Sequence, residues 1–146
     1  MTSFIDTILE IVTAAGQLDR LVQRGPHFSL KIDNPPFMPL VIEAWDSPIL
    51  SENRRISVAH YLEQAGDLIP DPEVEIRDDG WPIELSQRTF YTQVTTYSRD
   101  GLTLSFAPQS RRSVLHFLDH TWAPNLRAQR FIEAAQKLAS RPKVTA

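Results

Sequence analysis

His116 and His120 stand four residues apart in His116-Phe117-Leu118-Asp119-His120. On a helix this spacing turns both imidazoles to one side, as a helical metal site requires. Phe117 stands where a zinc protease motif would place Glu, and no third ligand is dictated. His60 is the other candidate, with Glu63, Asp67 and Asp71 nearby and Glu73 and Glu75 beyond. Imidazole with carboxylates could hold a divalent cation or serve as acid and base. A structural reading competes with that. Asp67 after Gly66 and Asp71 before Pro72 are what turns want, and Glu73 and Glu75 alternate with Val74 and Ile76 as the wet side of a strand does. Asp78-Asp79-Gly80 continues the acidic run as a hairpin turn. Glu73, Glu75, Asp78 and Asp79 together offer a surface to a basic partner, acting mostly on association rate. The last cluster is cationic. Residues 121–146 carry Arg127, Arg130, Lys137, Arg141 and Lys143 against Glu133 alone, a net of +4, leaving −7 for the rest. Arg127, Arg130, Lys137 and Arg141 fall near one helix face, as a small phosphate-binding surface or as an ordinary solvated face. No aromatic residues interleave with them, so a stacking platform for single strands is not supported.

The elements that must position these groups follow from periodicity. Phe4, Ile8, Ile11, Ala15, Leu18 and Val22, widened by Ile5, Leu9 and Val12, form the broad apolar face of one helix. Ser3 and Asp6 resemble a capping box, Gly16 sits inside the helix, and Gly25-Pro26 ends it. From His27 to Phe106 the period becomes two. Strands are expected at 27–33, 39–45, 56–62, 73–77, 81–85, 89–97 and 102–106. They are separated by Asn34-Pro35-Pro36, Asp46-Ser47-Pro48 with the polar loop 51–55, the turn-rich connection 65–72, and the hairpin signals at Asp78-Asp79-Gly80 and Arg99-Asp100-Gly101. No helix-length segment separates them, so the sheet is antiparallel. The Thr- and Tyr-rich stretch 89–97 suits a pleated strand and could line a binding face. Two helices follow, Ser110–Trp122 and Asn125–Ala139, broken by Pro124 with Asn125 as N-cap. Ala128, Phe131, Ile132, Ala135 and Leu138 form the inward stripe of the second, and residues 143–146 are expected to form a frayed tail. The fold class is α+β: an N-terminal helix packed on a mostly antiparallel meandering sheet, followed by C-terminal helices. Residues 1–146 form a single domain, with 1–107 as the helix-plus-sheet core and 108–146 as a helical extension.

Composition narrows the function classes. The chain has 146 residues, 42% apolar and 23% charged, with net charge −3 and no cysteine. A chain of this kind supports one core without staples. Thiolate metal sites, iron–sulfur clusters and cysteine nucleophiles are excluded. The acidic balance argues against generic nucleic-acid binding. No apolar run approaches the roughly 18 residues of a membrane span, and the start of the chain lacks a basic n-region, so a cytoplasmic protein is expected. The five glycines are scattered, which excludes a phosphate loop, and no serine sits in a nucleophile elbow.

The stretch Ile56-Ser57-Val58-Ala59-His60-Tyr61-Leu62-Glu63-Gln64-Ala65-Gly66-Asp67-Leu68-Ile69-Pro70-Asp71-Pro72-Glu73 resembles the central signature of a family of small uncharacterised domains found in bacteria, phages and plasmids. Asn34-Pro35-Pro36-Phe37-Met38-Pro39-Leu40-Val41-Ile42-Glu43 resembles its preceding strand, and Trp81-Pro82-Ile83-Glu84-Leu85-Ser86-Gln87 its closing strand. The resemblance covers about residues 1–97 and leaves the helices after Pro108 as an addition. It implies a mobile-element context and no site residue, activity or cofactor; products of such genes often modulate a larger protein, a link by analogy alone. With no convergent catalytic set, the expectation is a non-enzymatic module that binds another protein through the acidic hairpin region or an exposed sheet edge, as an accessory or anti-defence factor. It would be monomeric or homodimeric and without cofactor. A metal-dependent enzyme using His60 and its carboxylates, or His116 and His120, is the alternative. Nucleic-acid binding through the basic C-terminal helix is the third reading.

Overall fold

The alternation Phe28, Leu30, Ile32 on one face and Ser29, Lys31, Asp33 on the other makes β1 (Phe28–Asn34) a strand with one dry side. The computed structural model describes residues 2–47, 54–89, 92–95 and 108–140, with backbone alone at 62–64, 67–71, 87–89, 92–95 and 108–111. After α1 (Phe4–Ala14) and α2 (Leu18–Val22) come six strands: β1, β2 (Phe37–Trp45), β3 (Arg55–Gln64), β4 (Asp67–Arg77), β5 (Pro82–Thr89) and β6 (Thr92–Thr95). They pair antiparallel in chain order, each with the next. Then follow α3 (Pro108–Phe117), a π-helical turn at Leu118–Trp122, α4 (Ala123–Ala128) and α5 (Phe131–Ser140). The expected α+β arrangement is the one observed.

The helices lie against one face of the sheet. Phe28, Leu30, Ile32, Leu40, Ile42, Ala44, Ile56, Val58, Val74, Ile76 and Leu85 point inward and meet Phe4, Ile8, Ile11 and Val12 of α1. Val114, Leu118, Trp122, Leu126, Phe131 and Ala135, from the segment expected to be an extension, belong to the same buried cluster. Burial of this face is the main favourable term holding helices to sheet.

Four local expectations are corrected. The first helix is two helices. Gly16, at φ +74°, stands just beyond the α1 C-cap, with Gly16 N donating to Thr13 O and Gln17 N to Val12 O. That paired arrangement closes a helix, so Gly16 is a terminator and not an interior residue. The connection 65–72 is mostly strand: only Ala65 and Gly66, both at positive φ, make the β3–β4 turn, as two-residue hairpins require. Pro70 and Pro72 are tolerated because β4 before Glu73 has no paired register with β5, so the missing N–H interrupts no ladder on that side. The stretch 89–97 is divided, with Thr89 ending β5 and Thr92 opening β6 opposite it. Pro124 does not separate the last helices. Ala123 N donates to Leu118 O, five residues back, and this π-helical step admits proline into the first turn of α4. The break falls at Gln129-Arg130, so Asn125 is not an N-cap, and Ala128, placed on the other helix, is exposed. The expected strand 102–106, the turn at 99–101, Pro48, Arg141 and residues 51–53 of the polar loop lie outside the described residues.

The helix ends are closed from a distance. Ser3 Oγ accepts from Asp6 N at 3.2 Å, the expected cap, while Phe4 N donates to Asp119 Oδ1 at 2.8 Å. Asp119, which lies between the two histidines of the first motif, is therefore engaged with the start of α1.

Candidate functional site

Register, not sequence proximity, assembles the acidic surface. Glu75 of β4 lies opposite Ser57 of β3 on one side and Glu84 of β5 on the other, and Ser57 lies opposite Glu43 of β2. Glu73 is two residues along β4 on the same face, opposite Ala59 and Ser86. Val74 and Ile76 point into the core, so Glu43, Glu73, Glu75 and Glu84 share the face turned away from the helices. Partial burial is the largest influence on Glu73 and pushes its carboxyl above the ordinary value. Glu43 and Glu75 add to this, and the Tyr61 hydroxyl, donating to Glu73 Oε2 at 3.4 Å, opposes it. Glu84 is raised likewise by burial and then by Glu75 and Glu73. Burial, with Glu73 and Glu43, raises Tyr61. Glu75 has a cation within reach, Arg55 Nη1 at 3.2 Å.

The sign for Glu73 and Glu84 follows from the raised values. Their stabilising contribution is present below the ordinary 4.5 and lost as pH rises through the folded-state value. Glu73→Gln is therefore expected to stabilise the fold at neutral pH by about 0.5 kcal/mol after allowance for solvent screening, and to change nothing below about pH 4. Urea unfolding at the two pH values checks this, and an equal shift at both would contradict it.

Asp78 and Asp79 do not extend the acidic row. Against the opposing push of partial burial, the Arg77 side chain and Trp81 N hold the Asp79 carboxyl below the usual range. Arg77 and Asp79 also form a close ion pair. Asp78 N donates to Arg54 O at 3.1 Å. Both residues serve the β4–β5 turn.

The histidines do not form one centre. His60 faces the core, 6% exposed, its Nδ1 3.3 Å from Pro39 O and its ring 5.7 Å from Trp122 and 5.5 Å from Phe131. His116 and His120 are exposed, with rings stacked at 4.4 Å and 18°. Among the described residues no three His, Asp or Glu side chains gather as a metal site. The side chains of Glu63, Asp67 and Asp71 fall outside the described residues.

The cationic face is largely engaged. Arg127 donates from Nη2 to Glu10 Oε2 at 2.6 Å and from Nε to Thr7 Oγ1 at 3.2 Å. Arg130 Nε donates to Glu133 Oε2 at 2.9 Å, and that arginine lowers the Glu133 carboxyl. Lys137 alone of the described three makes no ion pair with a described residue.

Sequence patterning does not single out two acidic residues of this face, Glu43 and Glu84. The Asp78-Asp79-Gly80 hairpin could have placed Glu84 beside Glu75, but one extra residue in β5 shifts that register.

A six-stranded antiparallel meander with helices on one face and carboxylates on the other defines an α+β domain with a dry side and a charged side. The pattern of a family described as a domain of unknown function, DUF6908, matches residues 6–132, and the chain belongs to that family. The match runs beyond residue 97 and takes in α3 and α4, so these helices are part of the family pattern rather than an addition to it. No curated protein and no solved structure matches the chain. Among the described residues no helix is long and apolar enough to cross a membrane.

Proposed function

We propose that the chain is a non-catalytic binding module that receives a basic protein surface on the open face of its sheet, as an accessory or anti-defence factor of a mobile element would. The observation that carries this reading is the convergence of Glu43, Glu73, Glu75 and Glu84 from three strands onto one face. The raised carboxyls of Glu73 and Glu84 support it, since ionisation there is unfavourable in the free protein and a cationic partner would relieve it. Complementarity of this kind acts chiefly on association rate and weakens with salt.

The test is capture from cell lysate with the wild-type chain and with Glu73→Lys/Glu84→Lys, which leaves the Arg55–Glu75 pair in place. A partner retained by the wild type should be lost by the double variant, with the wild-type association rate falling at least about tenfold between low and physiological salt. An unchanged set of captured proteins would remove the acidic face as the site.

A further inference from the structure

The β1–β2 turn and the α4–α5 junction border two adjoining open hollows. The first, of about 180 Å³, is walled by Phe37, His60, Pro72, Phe117 and Trp122, with Asn125 at its polar side. The second, of about 450 Å³, is lined by Asp33, Asn34, Arg130, Glu133 and Lys137. Phe37 and Gln129 belong to both linings, so one hollow opens beside the other.

Their chemistry differs in a way that fits one kind of molecule. The smaller is bounded by aromatic rings and matches the size of a single six-membered ring, given that an apolar cavity near 150 Å³ holds benzene. Phe37, on the shared wall, is 41% exposed, one of two large apolar side chains left open among the described residues. Trp122, 3% exposed, carries a buried Nε1 donor that meets no acceptor among the described residues. The larger hollow carries both signs, with Asp33 and Glu133 beside Arg130 and Lys137, and Asp33 lies 3.7 Å from Lys31 Nζ. Glu133 already accepts from Arg130, and Lys137 makes no ion pair with a described residue. Arg130 stands at φ +66°, where Gly or Asn is the usual occupant. Asn34 Nδ2 donates to Gln129 O at 2.7 Å and fixes the turn against the junction.

We propose that these hollows form one binding site for a small aromatic anion, its ring among Phe37, His60, Phe117 and Trp122 and its anionic group against Lys137. The site is separate from the acidic sheet face, so either proposal stands without the other.

The probes are phenylacetate and 3-phenylpropanoate, each with its primary amide, followed by ¹H–¹⁵N spectra in which the Trp122 indole and the Asn34 and Gln129 amides report. Millimolar dissociation constants are expected for ligands of this size, with each acid binding about threefold to fivefold tighter than its amide. Lys137→Gln should abolish that preference and leave amide binding unchanged. Phe37→Ser should weaken acid and amide alike. Both positions are solvent-facing, and circular dichroism confirms that the variants fold. Equal affinity of acid and amide, a Lys137→Gln variant that keeps the preference, or no saturable shift by about 10 mM would overturn the proposal.

Discussion

Arg54→Met is expected to destabilise the fold by about 3 kcal/mol and to lower Tm by about 10 °C. Arg54 is 2% exposed, and its three guanidinium nitrogens reach three different segments. Nε donates to Leu21 O at 2.8 Å, Nη2 to Pro26 O at 2.9 Å, and Nη1 to Asp46 Oδ1 at 2.8 Å. The guanidinium thus joins the end of α2, the segment leading into β1, and the residue following β2. Methionine fills similar volume but donates nothing, leaving two carbonyls without their partner. Lysine keeps the charge but not the planar fork, so Arg54→Lys should recover only part of the loss. Asp46 supplies an independent readout. The Gly25 backbone N–H and then Arg54 hold its carboxyl below the ordinary 3.8, against some burial. A lowered carboxyl contributes stability that is present above the ordinary value and lost as pH falls through the folded-state value. The acid-dependent part of unfolding should therefore shrink in Arg54→Met. Urea titrations with an unchanged m-value measure both effects, and a loss under about 0.5 kcal/mol would mean that the clamp contributes nothing.

Nothing in the neighbourhood of Arg54 announces this. Ser51-Glu52-Asn53-Arg54-Arg55 reads as solvated loop because charged residues are rarely buried without partners, and the partners here are two carbonyls and the Asp46 carboxylate, which only the fold brings together. The same boundary between local and long-range information runs through the whole chain. Strand alternation at Phe28, Leu30 and Ile32 and the cap at Ser3 are local, and both are legible from sequence. The division of 89–97 is not, because residues 90–91 are Phe-Tyr and carry no turn chemistry. Pro124 is a strong breaker by local rules, and a π-helical step five residues long absorbs it. Of the acidic face, Glu73 and Glu75 follow from alternation along one strand. Glu43 and Glu84 require cross-strand register, which one bulge is enough to change. His60 is legible in part: alternation along β3 puts it on the face of Ile56 and Val58, whereas its neighbours Trp122 and Phe131 come from helices that only the fold brings near.

Phe131→Ala is expected to remove about 4 kcal/mol of stability and to do so in a single transition. Phe131 is fully buried at the start of α5, its ring 5.5 Å from His60 on β3. Trp122 lies 5.7 Å from the same imidazole and reaches Phe4 of α1 at 5.0 Å. This chain of rings runs from the C-terminal helices through the sheet to the N-terminal helix. An independent helical extension would melt by itself, leaving the transition of residues 2–89 where it was. Shared burial demands the opposite: a cavity at Phe131 weakens the sheet and α1 as much as α5. Far-ultraviolet dichroism, which follows helix and strand together, should therefore shift in step with the fluorescence of Trp45 and Trp81, read in a Trp122→Phe background; these two lie at the end of β2 and beside the β4–β5 turn, distant along the chain from the substitution. Non-coincident curves, with tryptophan fluorescence unmoved, would show that α3 to α5 fold as a unit of their own.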